Sequence, residues 1–153
     1  MPNSFAPPRY STPVIAMHWL TVLLVIAVYC LMEFKGIYPK DSPEREAMKM
    51  WHFTLGMTVF ALTWLRLLLR ARSKTPPITP PIPQWQRTLC MLTHGLLLAM
   101  VMFLPLTGWM MVNAFGNNVP FWGMELPPLA VADRAAGLRM KELHETIASL
   151  GYL

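Results

Sequence analysis

Three uninterrupted apolar runs dominate this chain, and each is long enough to cross a lipid bilayer as a helix. They are VIAMHWLTVLLVIAVYCLMEF (14–34), MKMWHFTLGMTVFALTWLRLLLR (48–70) and TLCMLTHGLLLAMVMFLPLTGWMMVNA (88–114). A helix rises about 1.5 Å per residue, so about 20 residues cover a hydrocarbon core of about 30 Å. A fourth run starts near Met140 and reaches Leu153. Its roughly 14 residues cover about 21 Å, short of that core. The expected fold is an all-α membrane protein: an up-and-down four-helix transmembrane bundle, one domain over 1–153, with the fourth helix (140–153) incomplete. Composition agrees. The chain is 54% hydrophobic and 14% charged, against about a quarter charged in a soluble domain.

The formal charge of +5 is unevenly placed. Between the second and third runs lie Arg66, Arg70, Arg72, Lys74 and Arg87, with no acidic residue, around the extended, proline-rich TPPITPPIP. Lys35, Lys40, Arg45 and Lys49 of the first loop are offset by Glu33, Asp41, Glu44 and Glu46. Arg134, Arg139 and Lys141 of the third are offset by Glu125, Asp133, Glu142 and Glu145. Basic density beside helix ends marks the cytoplasmic face. The N-terminus and second loop are therefore expected on the cytoplasmic side of the membrane, and the first and third loops on the outer side. Charge placed this way points to membrane lipid and orientation, not to nucleic acid. Trp19, Trp51, Trp64, Trp85, Trp109 and Trp122 mostly fall near helix ends, as in an interfacial belt. Pro105 is expected to kink the third helix. MPNSFAPPRYSTP is polar and proline-rich, unlike a cleavable signal peptide. Cys30 and Cys90 lack CxxC or CxxCH spacing, so they are expected to be structural thiols.

The four histidines carry the chemistry. His18, His52, His94 and His144 each stand near the start of a predicted helix. Because the helices alternate in direction, His18 and His94 share the cytoplasmic depth, and His52 and His144 the outer depth. A lone histidine in such a place is usually an interfacial polar group. Four at matched depths fit ionisable residues retained in a membrane for function. Imidazoles facing each other from different helices of a bundle can hold a haem iron from both sides. MKMWHFT (48–54) and MKELHET (140–146) share the frame M-K-x-x-H-x-T, an internal echo at the outer face. Gly56 follows His52 by four residues, on the same face, and serves either close approach of a porphyrin or tight helix packing. Arg66 stands near the cytoplasmic side, as a partner for haem propionates or as a snorkelling interfacial charge. Lys49, Arg139 and Lys141 are either attractors of outer propionates or a small anion, or solvated interfacial charges.

RYSTPVIAMHWL, AVYCLMEFKGIYP, MWHFTLGM, RLLLR, TPPI, LTHGLLL, LPLTGW and LHETIASLGY together resemble the bacterial cytochrome b561 family. They are similar too to the membrane cytochrome b subunits of nickel-iron hydrogenases and formate dehydrogenases. The resemblance covers Arg9 to Leu153. It implies a four-helix membrane bundle with two non-covalent haem b groups, the outer one on positions matching His52 and His144. The inner one would use His18 and a helix-four histidine five residues beyond Leu153. These 153 residues are therefore expected to hold one haem at most. On the family pattern His94 lies beside a quinone or behind a ligand; on depth alone it pairs with His18. Family members pass electrons from an outer-face donor to the quinone pool, and stand-alone members resemble a superoxide:ubiquinone oxidoreductase. In that scheme superoxide gives an electron at the outer haem, which crosses to the inner haem and on to ubiquinone. The alternatives are a cytochrome b subunit docking a periplasmic dehydrogenase and an inactive truncated membrane fragment.

Overall fold

The computed structural model describes residues 9–73 and 76–152. The polar segment 1–8, Lys74 of the basic loop and Leu153 lie outside the described residues. The order is α1 (Thr12–Glu33), a single 3-10 turn (Phe34–Ile37), α2 (Pro43–Arg72), α3 (Gln84–Ala114), β1 (Val119–Phe121), β2 (Met124–Leu126) and α4 (Arg134–Leu150). Three of these helices, α1 to α3, are long and apolar enough to cross a membrane. The fourth, α4, has 17 residues.

The helices begin further out than hydropathy places them, and in α2 and α4 a polar cap sets the start. Ser42 caps α2, its hydroxyl accepting from the Arg45 amide at 3.3 Å, and Pro43 follows. Glu44 and Glu46 stand in the first turn of α2, and Arg70 and Arg72 in its last. Each sign suits the helix dipole at its end. Asp133 caps α4, accepting from the Ala135 and Ala136 amides at 2.8 and 3.2 Å. That cap starts α4 six residues before Met140. His52, His94 and His144 lie between two and three turns inside their helices, and His18 just under two.

α1 packs on α2 and α3 on α4, and α2 joins the two pairs by packing on α3. Among the described residues, α4 shares no pair of Cα atoms within 8 Å with α1 or α2. A seam thus separates α4 from α1 and α2, and side chains bridge it. Tyr29 donates its hydroxyl to the Ala148 carbonyl at 3.0 Å, and its ring meets Tyr152 edge-on at 5.1 Å. Tyr152 donates to Glu33 at 3.2 Å.

The two short strands were not foreseen. They pair antiparallel about Trp122 and Gly123, both with positive φ, the backbone of a tight hairpin turn. The hairpin lies against α2: Thr54 donates to the Pro120 carbonyl at 3.3 Å, and the Trp122 indole donates to the Thr58 hydroxyl at 3.0 Å. Val119 joins Met57 and Val112 in the buried apolar cluster.

Elsewhere the burial pattern is inverted relative to a water-soluble protein. Thr21, Thr54, Thr63 and Thr107 are buried, whereas Leu23, Leu92, Leu96 and Phe103 are about 60% exposed. Small residues let helices approach, and large apolar ones face lipid. The threonine hydroxyls cost little there, because Thr21 and Thr63 donate to carbonyls of their own helix at 2.7 Å.

Candidate functional site

The seam brings His52 of α2 and His144 of α4 together. Their ring centres are 6.3 Å apart and their planes lie at 76°. The His52 Nδ1 lies 3.1 Å from the Val28 carbonyl of α1. The His144 Nδ1 lies 3.0 Å from the Leu104 carbonyl of α3. A carbonyl only accepts, so in both rings Nδ1 carries the proton and donates it. Both Nε2 atoms are left with free lone pairs. This is the ligating tautomer, fixed by a hydrogen bond on the far nitrogen.

The separation tests what the pair could hold. Metal–imidazole bonds of about 2 Å, plus about 1 Å from nitrogen to ring centre, put two axial imidazoles about 6 Å apart. Among the described residues no three His, Cys, Asp or Glu side chains cluster as a metal site. Two protein donors suit a metal whose other positions are filled by a macrocycle. Backbone near the pair is bare. Nothing lies within 4 Å of the position a Gly56 side chain would take, and Gly108 sits directly against His144. The residues present fit a haem.

The remaining candidates form a second locus towards the other end of α1. His18 packs at a tilt on Trp19, ring centres 5.5 Å apart. Arg66 and His94 are the groups within electrostatic reach of its ring. This gathers His18, Arg66 and His94 in one region, separate from His52 and His144. The His94 ring is exposed and donates from Nδ1 to Cys90 of its own helix at 2.7 Å.

The expected outer cations are partly engaged. Lys49 is paired with Glu46 at 2.5 Å and Lys141 with Glu145 at 3.8 Å. Sequence reasoning missed Lys35, the lysine within electrostatic reach of His52. It also missed Thr107 and Gly108, which touch His144. A threonine and a glycine in LPLTGW carry no signal of that contact until α3 and α4 are packed.

Bilayer-length helices that pair imidazoles from different helices across a seam are the build of a membrane-embedded cytochrome. The chain belongs to the prokaryotic cytochrome b561 family, whose model matches residues 9–153. It is similar to cytochrome b561 homolog 1 of Escherichia coli (strain K12), 33% identical over 144 residues, which is 94% of this chain and 82% of that protein. It is also similar to the probable superoxide oxidase CybB of Yersinia pestis, 28% identical over 144 residues, 94% of this chain and 81% of the relative. The family makes this chain a membrane haem b electron-transfer protein.

Proposed function

We propose that His52 and His144 are the axial ligands of a haem b near the outer face, through which the chain passes electrons from superoxide to ubiquinone. The observation that carries the ligand assignment is the ring pair: two Nδ1-protonated imidazoles, 6.3 Å apart, on helices whose backbones do not pack on each other. Bound haem b with both axial positions filled supplies one-electron transfer without an open site for oxygen chemistry. The relative named a probable superoxide oxidase supports superoxide as donor. The net reaction oxidises two superoxide ions to two molecules of oxygen, and one ubiquinone takes up the two electrons and two protons.

The chain's own residues do four things in this scheme. Val28 and Leu104 hold the two rings in the ligating tautomer. The seam half-buries the pair between the helices. Lys35, with Arg139, supplies positive charge that draws an anion to the outer end. His18, Arg66 and His94 form the inner region, where His18 is a candidate second ligand, Arg66 a partner for propionates and His94 a neighbour of the quinone. Basic residues flanking the α2–α3 loop support an inner-membrane topology with that loop and the N-terminus cytoplasmic.

Membranes containing the chain should yield haem b as a pyridine haemochrome. His52→Ala and His144→Ala should each abolish the same low-spin species. Superoxide should reduce that species within a stopped-flow mixing experiment, and ubiquinone should reoxidise it. Retention of the low-spin spectrum in either variant refutes the ligand pair. A spectrum that superoxide leaves oxidised refutes the donor.

A further inference from the structure

The two imidazoles of the pair are not held alike. His52 has one partner on its Nδ1, the Val28 carbonyl. His144 has two. Its Nδ1 lies 3.0 Å from the Leu104 carbonyl and 3.1 Å from the Thr107 hydroxyl oxygen. The Thr107 hydroxyl in turn donates to the same Leu104 carbonyl at 2.9 Å. That leaves its oxygen lone pairs to accept a share of the His144 proton. Thr107 is only 9% exposed, so water does not compete for this three-membered arrangement. One residue on, Gly108 presents bare backbone to the ring: a Cβ there would stand 3.1 Å from the His144 Cε1 and 3.4 Å from Nδ1.

Each contact controls a different property of the ring. A second acceptor on Nδ1–H pulls the proton outward and makes Nε2 the stronger electron donor. It also removes the ring's freedom to turn about its own axis, since rotation would break one of the two contacts. The missing Gly108 side chain leaves room for one ring plane, which a Cβ would push aside. That plane lies at 76° to His52. Where two imidazoles ligate one low-spin iron, the angle between their planes sets the splitting of the iron d orbitals and so the g values.

We propose that Thr107 and Gly108 are positioning residues for His144, fixing the plane and the donor strength of its ring. The inference rests on the assignment of His144 as a ligand.

The test is electron paramagnetic resonance and redox titration of the full chain in membranes, with His144→Ala identifying the signal that belongs to this ligand. Thr107→Val keeps shape and removes the hydroxyl. It should retain haem, shift the largest g value of that signal and raise its midpoint potential. Thr107→Ser restores the hydroxyl and should return both to the wild-type values. Gly108→Ala should shift the g value with Thr107 intact. If His144→Ala keeps the signal, the ligand assignment itself falls. If His144→Ala loses it while Thr107→Val and Gly108→Ala leave g values and potential unchanged, only the positioning role falls. Equal shifts in Thr107→Val and Thr107→Ser overturn the part given to the hydroxyl. Should Thr107→Val fail to accumulate, Thr107→Ser and Gly108→Ala carry the same decision.

Discussion

Tyr29 is the residue whose loss should most directly loosen the two helical hairpins from each other. Its neighbour Val28 holds His52, and its own hydroxyl holds α4 at Ala148, one turn after His144. Adjacent residues of α1 therefore grip both helices that carry the ring pair. Tyr29→Phe deletes the hydroxyl and keeps the ring. The Ala148 carbonyl is not orphaned, because it still accepts from the Gly151 amide at 3.0 Å. The cost should therefore sit low in the usual range, about 0.5–1 kcal/mol. Tyr29→Leu also removes the edge-on packing against Tyr152, worth about 0.5–1.5 kcal/mol more. The sum is about 1–2.5 kcal/mol, or roughly a 5- to 70-fold loss in the folding equilibrium. Unfolding in mixed micelles of mild detergent and dodecyl sulfate, followed by circular dichroism, reads this directly. A double-mutant cycle with Tyr152→Leu isolates the ring–ring term. If Tyr29→Leu lies within about 0.3 kcal/mol of the parent, with no coupling to Tyr152, the tyrosine link across the seam carries no energy.

Three further outcomes follow from the same geometry. Asn113→Ala removes both a donor to the Asn117 carbonyl and the acceptor of the Leu129 amide, at 2.9 and 2.8 Å. Asn113 is buried, so the loss should be about 2–3 kcal/mol, measured as a lowered thermal midpoint. Asp133→Ala strips the α4 cap and should cost about 1 kcal/mol, seen as faster amide exchange in the first turn of α4; Asp133→Asn should recover most of it. Lys35→Gln should slow reduction by an anionic donor several-fold at low ionic strength, with the difference shrinking as salt is added. An unchanged rate at low salt removes Lys35 from the path of the donor.

The parts of the fold that the bilayer dictates were legible in the sequence. Three apolar runs needed only length to be read as spans, because lipid demands a helix wherever an apolar segment crosses it. The depth argument placed His52 opposite His144, and the two rings do stand together in the seam. Helix starts were legible only in part. Ser42–Pro43 and Asp133 are cap signals in plain sight, but hydropathy locates the membrane boundary and not the end of hydrogen bonding. The β1–β2 hairpin escaped notice since NVPFWGMEL reads as a loop of mixed polarity. Its order comes from Val119 packing on Met57 and Val112, which no local pattern announces. The contacts of His144 with Leu104 and Thr107 are longer in range still. They join residues about 40 positions apart, and nothing in either segment alone names the other.

The seam between the hairpins has a consequence for how the protein is made. Neither hairpin owns both imidazoles of the pair: α1–α2 carries His52 and α3–α4 carries His144. Each hairpin can enter the bilayer and pack internally with its half of the site useless. If His52 and His144 hold the haem as proposed, only their meeting creates a place for the pigment. On that proposal the colour of the protein would be a record of its assembly, visible only in molecules whose two halves have closed on each other.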